Sequence, residues 1–175
     1  SFPTRRSSDL ITLSAIAGFD ALCKKDAAFA ARYSGLVSSH STATRYDYTA
    51  LNEAKDSLLR TLYATEESRK TLSSSEFNAW LDENPWIIPY CVYKNLKYVY
   101  MQASWKEWKK KDQGLSHEAV QARWNDEALR TSHLFYAWEQ YEAYTQFKRA
   151  ADEVRKAGII LKGDLPILLN DDSCD

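Results

Sequence analysis

The sequence predicts a mostly α-helical chain that ends in one short parallel strand, the crossover-and-strand pattern of an α/β barrel. Three observations carry this. Between Gly18 and Ala157, apolar residues recur at steps of three, four or seven, the period of amphipathic helices. Ile159-Ile160-Leu161 then forms a β-branched run after a Gly-terminated helix, continued past Gly163-Asp164 by Leu165-Pro166-Ile167-Leu168-Leu169. Such a run reads as a buried parallel strand. Asp164 falls where α/β barrels keep their chemistry, at the carboxyl ends of strands.

Each element has its own justification. Gly18 to Tyr33 reads as a helix with Phe19, Leu22, Phe29 and Tyr33 as its apolar positions, ended by Ser34-Gly35. Leu36 to Arg45 is Ser/Thr-rich and reads as a loop. Asp47 is an N-cap candidate, because its carboxylate can accept from a free amide of the first turn. The helix it opens runs from Tyr48 to about Thr65, with Tyr48, Leu51, Leu58 and Leu62 on one stripe. Ser73 to Ser75 cap a shorter helix holding Phe77, Trp80 and Leu81. Asn84-Pro85 starts another, with proline in the first turn where its missing N–H costs nothing. That helix continues through Tyr93, Leu96 and Tyr100, and Trp105 and Trp108 flank its end. Lys109-Lys110-Lys111 reads as a solvated turn beside Asp112. Ser116 caps a helix around Val120 and Trp124. Ser132 caps the long helix, about His133 to Ala157, whose inner stripe is Leu134, Ala137, Tyr141, Tyr144, Phe147, Ala151 and Val154.

Composition narrows the function. Lysines and arginines number 23 against 24 acidic residues, a formal net charge of −1, so no nucleic acid or other polyanion partner is implied. No apolar run approaches the roughly 20 residues that span a bilayer, so no membrane partner is expected. The three cysteines, Cys23, Cys91 and Cys174, are odd in number and widely spaced, which suggests reduced thiols and a cytoplasmic setting. Six tryptophans and eleven tyrosines make the chain rich in rings that fill cores or stack on sugars. His40, His117 and His133 lack metal-ligand spacing and read as solvent or capping residues.

Two stretches carry a resemblance. The first joins Gln140 and Gln146 on the aromatic helix to Ala151, Gly158, Gly163-Asp164-Leu165-Pro166-Ile167 and Asp172-Ser173-Cys174-Asp175. The second is Trp86-Ile87-Ile88-Pro89-Tyr90-Cys91-Val92-Tyr93 with Leu96. Tyr48 and Lys55 match a further aromatic-then-lysine helix. Together they resemble the 4-alpha-glucanotransferases, the amylomaltase or disproportionating-enzyme family (glycoside hydrolase family 77), from about Tyr48 to Asp175.

The resemblance implies a (β/α)8 TIM barrel carrying a large helical insertion. Residues 11–130 are then the insertion, and 131–175 a barrel helix and strand with the following loop; residues 1–10, whose opening SFPTRRSSDL looks foreign, read as a non-native or disordered leader. Such a barrel needs about 250 residues, so the 175 residues are expected to be an amino-proximal fragment. The implied substrates are maltooligosaccharides and α-1,4-glucans, with no cofactor and no metal. The family's catalytic Asp, Glu and stabilising Asp lie on strands beyond this stretch, so no catalytic residue is assigned and the fragment itself is expected to be inactive. Asp164 is the substrate-binding candidate. It could accept from a sugar hydroxyl or orient an arginine, or it could equally cap a loop. Asp172, Ser173 and Asp175 read as loop-shaping turn residues. Gln140 and Gln146 read as packing residues, and so does the Trp86–Tyr93 cluster, which follows a packing stripe. The other open classes are a non-catalytic carbohydrate-binding module and a helical interaction module.

Overall fold

The computed structural model describes residues 7–41, 45, 47–163 and 171–172. They form α1 (Ser7–Leu10), α2 (Phe19–Lys25), α3 (Ala27–Ser41), α4 (Tyr48–Tyr63), α5 (Glu66–Leu72), α6 (Ser75–Glu83), α7 (Ile87–Val99), α8 (His117–Trp124) and α9 (Glu127–Lys156), with short 3-10 turns and no strand among the described residues. The chain divides into two compact units, Ser1–Ser74 with Trp138–Ile160, and Ser75–Ala137 with Leu161–Asp175.

In the first unit the core gathers Ile11, Leu13, Ile16, Phe19, Phe29, Leu58, Leu59, Leu62 and Trp138, all buried. Phe19 meets the edges of Phe29 and Tyr33 at 5.7 and 4.7 Å between centroids. Asp47 caps α4 as expected, its Oδ1 accepting from the Thr49 and Ala50 amides at 3.0 and 3.1 Å. The expected single helix from Gly18 to Tyr33 is instead two. Asp26 adopts an extended backbone after α2, and its carboxylate accepts from the Phe29 amide at 2.9 Å, restarting the helix as α3. Gly35 does not stop α3, because it has no positive φ; the expected loop is helical as far as Ser41. Thr65 caps an unexpected helix, α5. At the unit's start, Thr12 exchanges two bonds with the Gln146 amide: its N–H donates to Oε1 at 2.8 Å and its carbonyl accepts from Nε2 at 3.2 Å.

In the second unit Ile87, Tyr90, Cys91, Val92 and Leu96 are buried along α7, the packing stripe read from the sequence. Asn84 joins α6 to α7: its Nδ2 donates to the Trp80 carbonyl at 2.7 Å, and its Oδ1 accepts from the Trp86 indole at 3.1 Å. Ser116 caps α8 as expected.

The long helix starts earlier than expected. The Asp126 carboxylate accepts from the Ala128 amide at 2.9 Å, which places Ser132 inside α9. Its buried surface is also not one stripe. Phe135 through Gln140 are all buried, whereas Phe147 is exposed. The same stretch buries polar residues too, here His133, Glu139, Gln140 and Glu142. Gly158, at φ 78, ends α9, with Gly158 N–H to Arg155 O at 2.9 Å and Ile159 N–H to Val154 O at 3.2 Å, the two bonds of a Schellman cap.

The expected strand is not formed over residues 159–163, which have no regular structure. Ile159 and Ile160 are 57% and 91% exposed. A parallel strand needs neighbours for its backbone donors and acceptors, and no other strand exists among the described residues. The remainder of that expected strand, and Asp164 with it, lies outside the described residues.

Candidate functional site

The second unit holds a polar knot beside an aromatic cavity. Tyr93 and Lys97, four residues apart, lie on one face of α7. At the end of α7 the chain turns through Met101 and Gln102, whose φ values of 50° and 65° are left-handed and unusual for residues with a Cβ. Lys97 holds this turn. Its Nζ donates to the Gln102 and Ala103 carbonyls at 2.8 and 2.9 Å, and to Asp172 Oδ2 at 2.7 Å. An ammonium has three protons, and these contacts use them all.

Asp172 is the centre of the knot. Its carboxylate also accepts from the Trp105 amide at 3.1 Å and the Tyr93 hydroxyl at 3.3 Å, and its carbonyl accepts from that hydroxyl at 2.9 Å. The Trp105 indole donates to the Asp171 carbonyl at 2.7 Å. Burial acts to raise the Asp172 pKa, but Lys97, the Trp105 amide and Tyr93 prevail and hold the carboxyl below its ordinary range. Asp172 is therefore a long-range anchor rather than the turn residue expected. Ser173 and Asp175 lie outside the described residues.

A cavity of about 300 Å³ opens against the same residues. Its walls include the rings of Tyr93, Trp105 and Trp108, the aliphatic Val92, Leu96 and Val120, and the polar Asp112 and Gln113. Trp108 lies 5.5 Å from Tyr93 and stacks at 12° on Tyr100. Asp112 is buried; it accepts from the Tyr100 hydroxyl at 2.6 Å and pairs with Arg123. Burial opposes its charge, yet Tyr100 and Arg123 hold its pKa below the ordinary range.

His133 departs from expectation. It is 1% exposed and stacks on Trp124 at 6.0 Å. Its Nε2 is 3.5 Å from Asn95 Nδ2, and its Nδ1 has no hydrogen-bond partner among the described residues. No group of His, Cys, Asp and Glu able to hold a metal occurs among the described residues, and no described helix is long and apolar enough to cross a membrane. The knot was missed in the sequence because its partners are far apart in the chain; the i, i+4 pairing of Tyr93 with Lys97 was its one local signal.

The family profile described as 4-alpha-glucanotransferase matches residues 8–175. Among curated proteins, a rice (Oryza sativa subsp. japonica) protein named 4-alpha-glucanotransferase DPE2 is 33% identical over 131 residues, 74% of this chain and 14% of its own length. The 4-alpha-glucanotransferase of Clostridium butyricum is 30% identical over 129 residues, 74% of this chain and 26% of its own. That of Synechocystis sp. is 26% identical over 136 residues, covering 77% and 26%. No solved structure gives a significant match. All three relatives are glucanotransferases. The chain belongs to the 4-alpha-glucanotransferase family, and the match begins well before Tyr48. It spans about a quarter or less of the length of these relatives.

Proposed function

We propose that the chain is part of an enzyme that transfers α-1,4-glucan segments between maltooligosaccharides with retention, through a covalent glycosyl-enzyme. The observation that carries this reading is the family match over residues 8–175. Retention requires a carboxylate nucleophile and a carboxylic acid roughly 5 Å apart across the scissile bond. In this reading both come from sequence beyond this chain, on a (β/α)8 barrel to which residues 131–175 contribute a helix and strand and residues 11–130 a helical insertion. In the same reading Asp164 accepts a hydrogen bond from a hydroxyl of the donor sugar. The odd number and wide spacing of Cys23, Cys91 and Cys174 support a reducing, cytoplasmic setting.

The test uses the chain as it stands and the same chain extended to the length of its relatives, each incubated with maltotriose. The extended protein is expected to yield glucose and longer maltodextrins, and the 175-residue chain neither. In the extended protein, Asp164→Asn is expected to reduce transfer sharply with an unchanged melting curve. Full transfer by that variant would remove Asp164 from substrate binding, and glucose release by the short chain would mean that it holds its own catalytic carboxylates.

A further inference from the structure

We propose that the cavity between α7, the Trp105–Asp112 segment and α8 is a binding site for a glucosyl unit of an α-glucan. This rests on the glucanotransferase reading. Its size, about 300 Å³, is at the lower end of ligand-binding cavities, roughly 300–1,000 Å³, suited to a sugar unit rather than a folded partner.

The walls select the chemistry. Tyr93, Trp105 and Trp108 line the cavity; Trp108 is buried and stacked on Tyr100, so the half-buried Tyr93 and Trp105 are the rings against which the C–H faces of a pyranose pack. The polar lining is rich in acceptors. Asp112 takes one bond from Tyr100 and one from Arg123, and a carboxylate has about four acceptor sites. Gln113 directs both amide protons to the Lys106 and Trp108 carbonyls at 2.8 Å. Its oxygen takes Lys110 Nζ at 3.1 Å and, as a carbonyl, has a second lone pair. Hydroxyl groups are donors that fit these acceptors. Arg123 is paired with Asp112, which disfavours an anion. A purely apolar occupant would strip water from the Asp112 carboxylate without replacing its bonds. A neutral, hydroxyl-rich ring satisfies both the aromatic wall and the acceptors.

The site is also ordered before a ligand arrives. The Trp105 backbone and indole N–H groups both donate to the Asp171–Asp172 segment, so its ring is held in place and binding does not have to immobilise it.

The experiment labels the chain with 5-fluorotryptophan, assigns Trp105 and Trp108 by single Trp→Phe replacements, and titrates the parent with maltotriose by fluorine NMR and calorimetry. Saturable shifts at Trp105 and Trp108 are expected. Val120→Trp, which fills the cavity from α8 and leaves the knot intact, is expected to weaken binding about tenfold. The parent titration stands even if that variant does not fold. Maltotriose binding without shifts at Trp105 and Trp108, binding undiminished in folded Val120→Trp, or no binding by the parent would each overturn the site. Transfer by the extended protein is measured separately, so the enzyme reading can survive the loss of this site, and the site can survive the loss of transfer.

Discussion

The Lys97 ammonium lies 2.7 Å from the Asp172 carboxylate, with side chains only 9% and 22% exposed. Removing one partner leaves the other charge poorly solvated. Asp172→Ala is therefore expected to cost roughly 3 kcal/mol in urea unfolding. Lys97→Met should cost at least as much, because it leaves the Asp172 carboxylate without its cation and also frees the Gln102 and Ala103 carbonyls. A double-mutant cycle should give a coupling of about 0.5–3 kcal/mol; strict additivity would mean that the two side chains act independently. The Asp172 pKa is depressed, so its contribution is present above the unfolded carboxyl pKa, about 3.9, and disappears as pH falls through the lower folded value.

Glu142 should act in the opposite sense. Burial, opposed by Arg149, raises its pKa to about 7 from 4.5. The folded state therefore holds a proton that the unfolded state releases, and stability falls as pH rises between those values. Glu142→Gln is expected to be more stable than the parent at about pH 8, by up to roughly 3 kcal/mol, with the difference shrinking towards about pH 5. Thermal melts across this range measure it. A constant difference between variant and parent would mean that Glu142 is ionised in the fold.

His133 titrates the other way again. Burial first, then Arg123 and Arg130, lower its pKa, with Asp126 opposing them. Its folded pKa lies below the unfolded value of about 6.5, so stability is lost as pH falls below that point. His133→Phe keeps a ring against Trp124 and removes the unpartnered Nδ1. It should lessen the acid sensitivity of the α7–α8 unit, followed by near-UV circular dichroism. An unchanged acid midpoint would show that His133 already binds its proton in the fold.

Backbone strain gives a contrasting pair. Gln102→Gly relieves a left-handed residue and is expected to stabilise by about 0.5–1 kcal/mol. Gly18→Ala should destabilise by at least about 1 kcal/mol, because φ is 86° and a Cβ would meet Glu67 Cγ at 3.0 Å. Equal melting temperatures for the two variants would contradict this reading of both turns.

Local chemistry made much of the fold legible. Asp47, Ser116 and Gly158 mark helix ends through bonds within a few residues of themselves, and the α7 packing stripe follows from the helical period alone. Failures came where two local signals compete or where the deciding partner is distant. Asp26 in mid-pattern divides a helix, whereas Gly35 divides nothing because its backbone stays helical. Ile159 to Leu161 have strand composition but no strand beside them among the described residues. Of the candidate site, the Gly163-Asp164-Leu165-Pro166 motif marks Asp164, which lies outside the described residues. The knot was invisible from sequence because Lys97 and Asp172 are 75 positions apart, and no local pattern connects them.

The Thr12–Gln146 pair has a consequence for how the first unit opens. A primary amide presents one donor and one acceptor side by side, as a peptide unit does, so Gln146 serves Thr12 as a strand neighbour made of a single side chain. Such a rung cannot slip in register, because it has no adjacent rung to slip towards. The Thr12 amide should therefore exchange with deuterium in step with this turn of α9, although Thr12 is exposed. That proton then serves as a clock for the release of the N-terminal segment from the long helix. Gln146→Glu, which has no amide proton to return to the Thr12 carbonyl, should make the clock run faster.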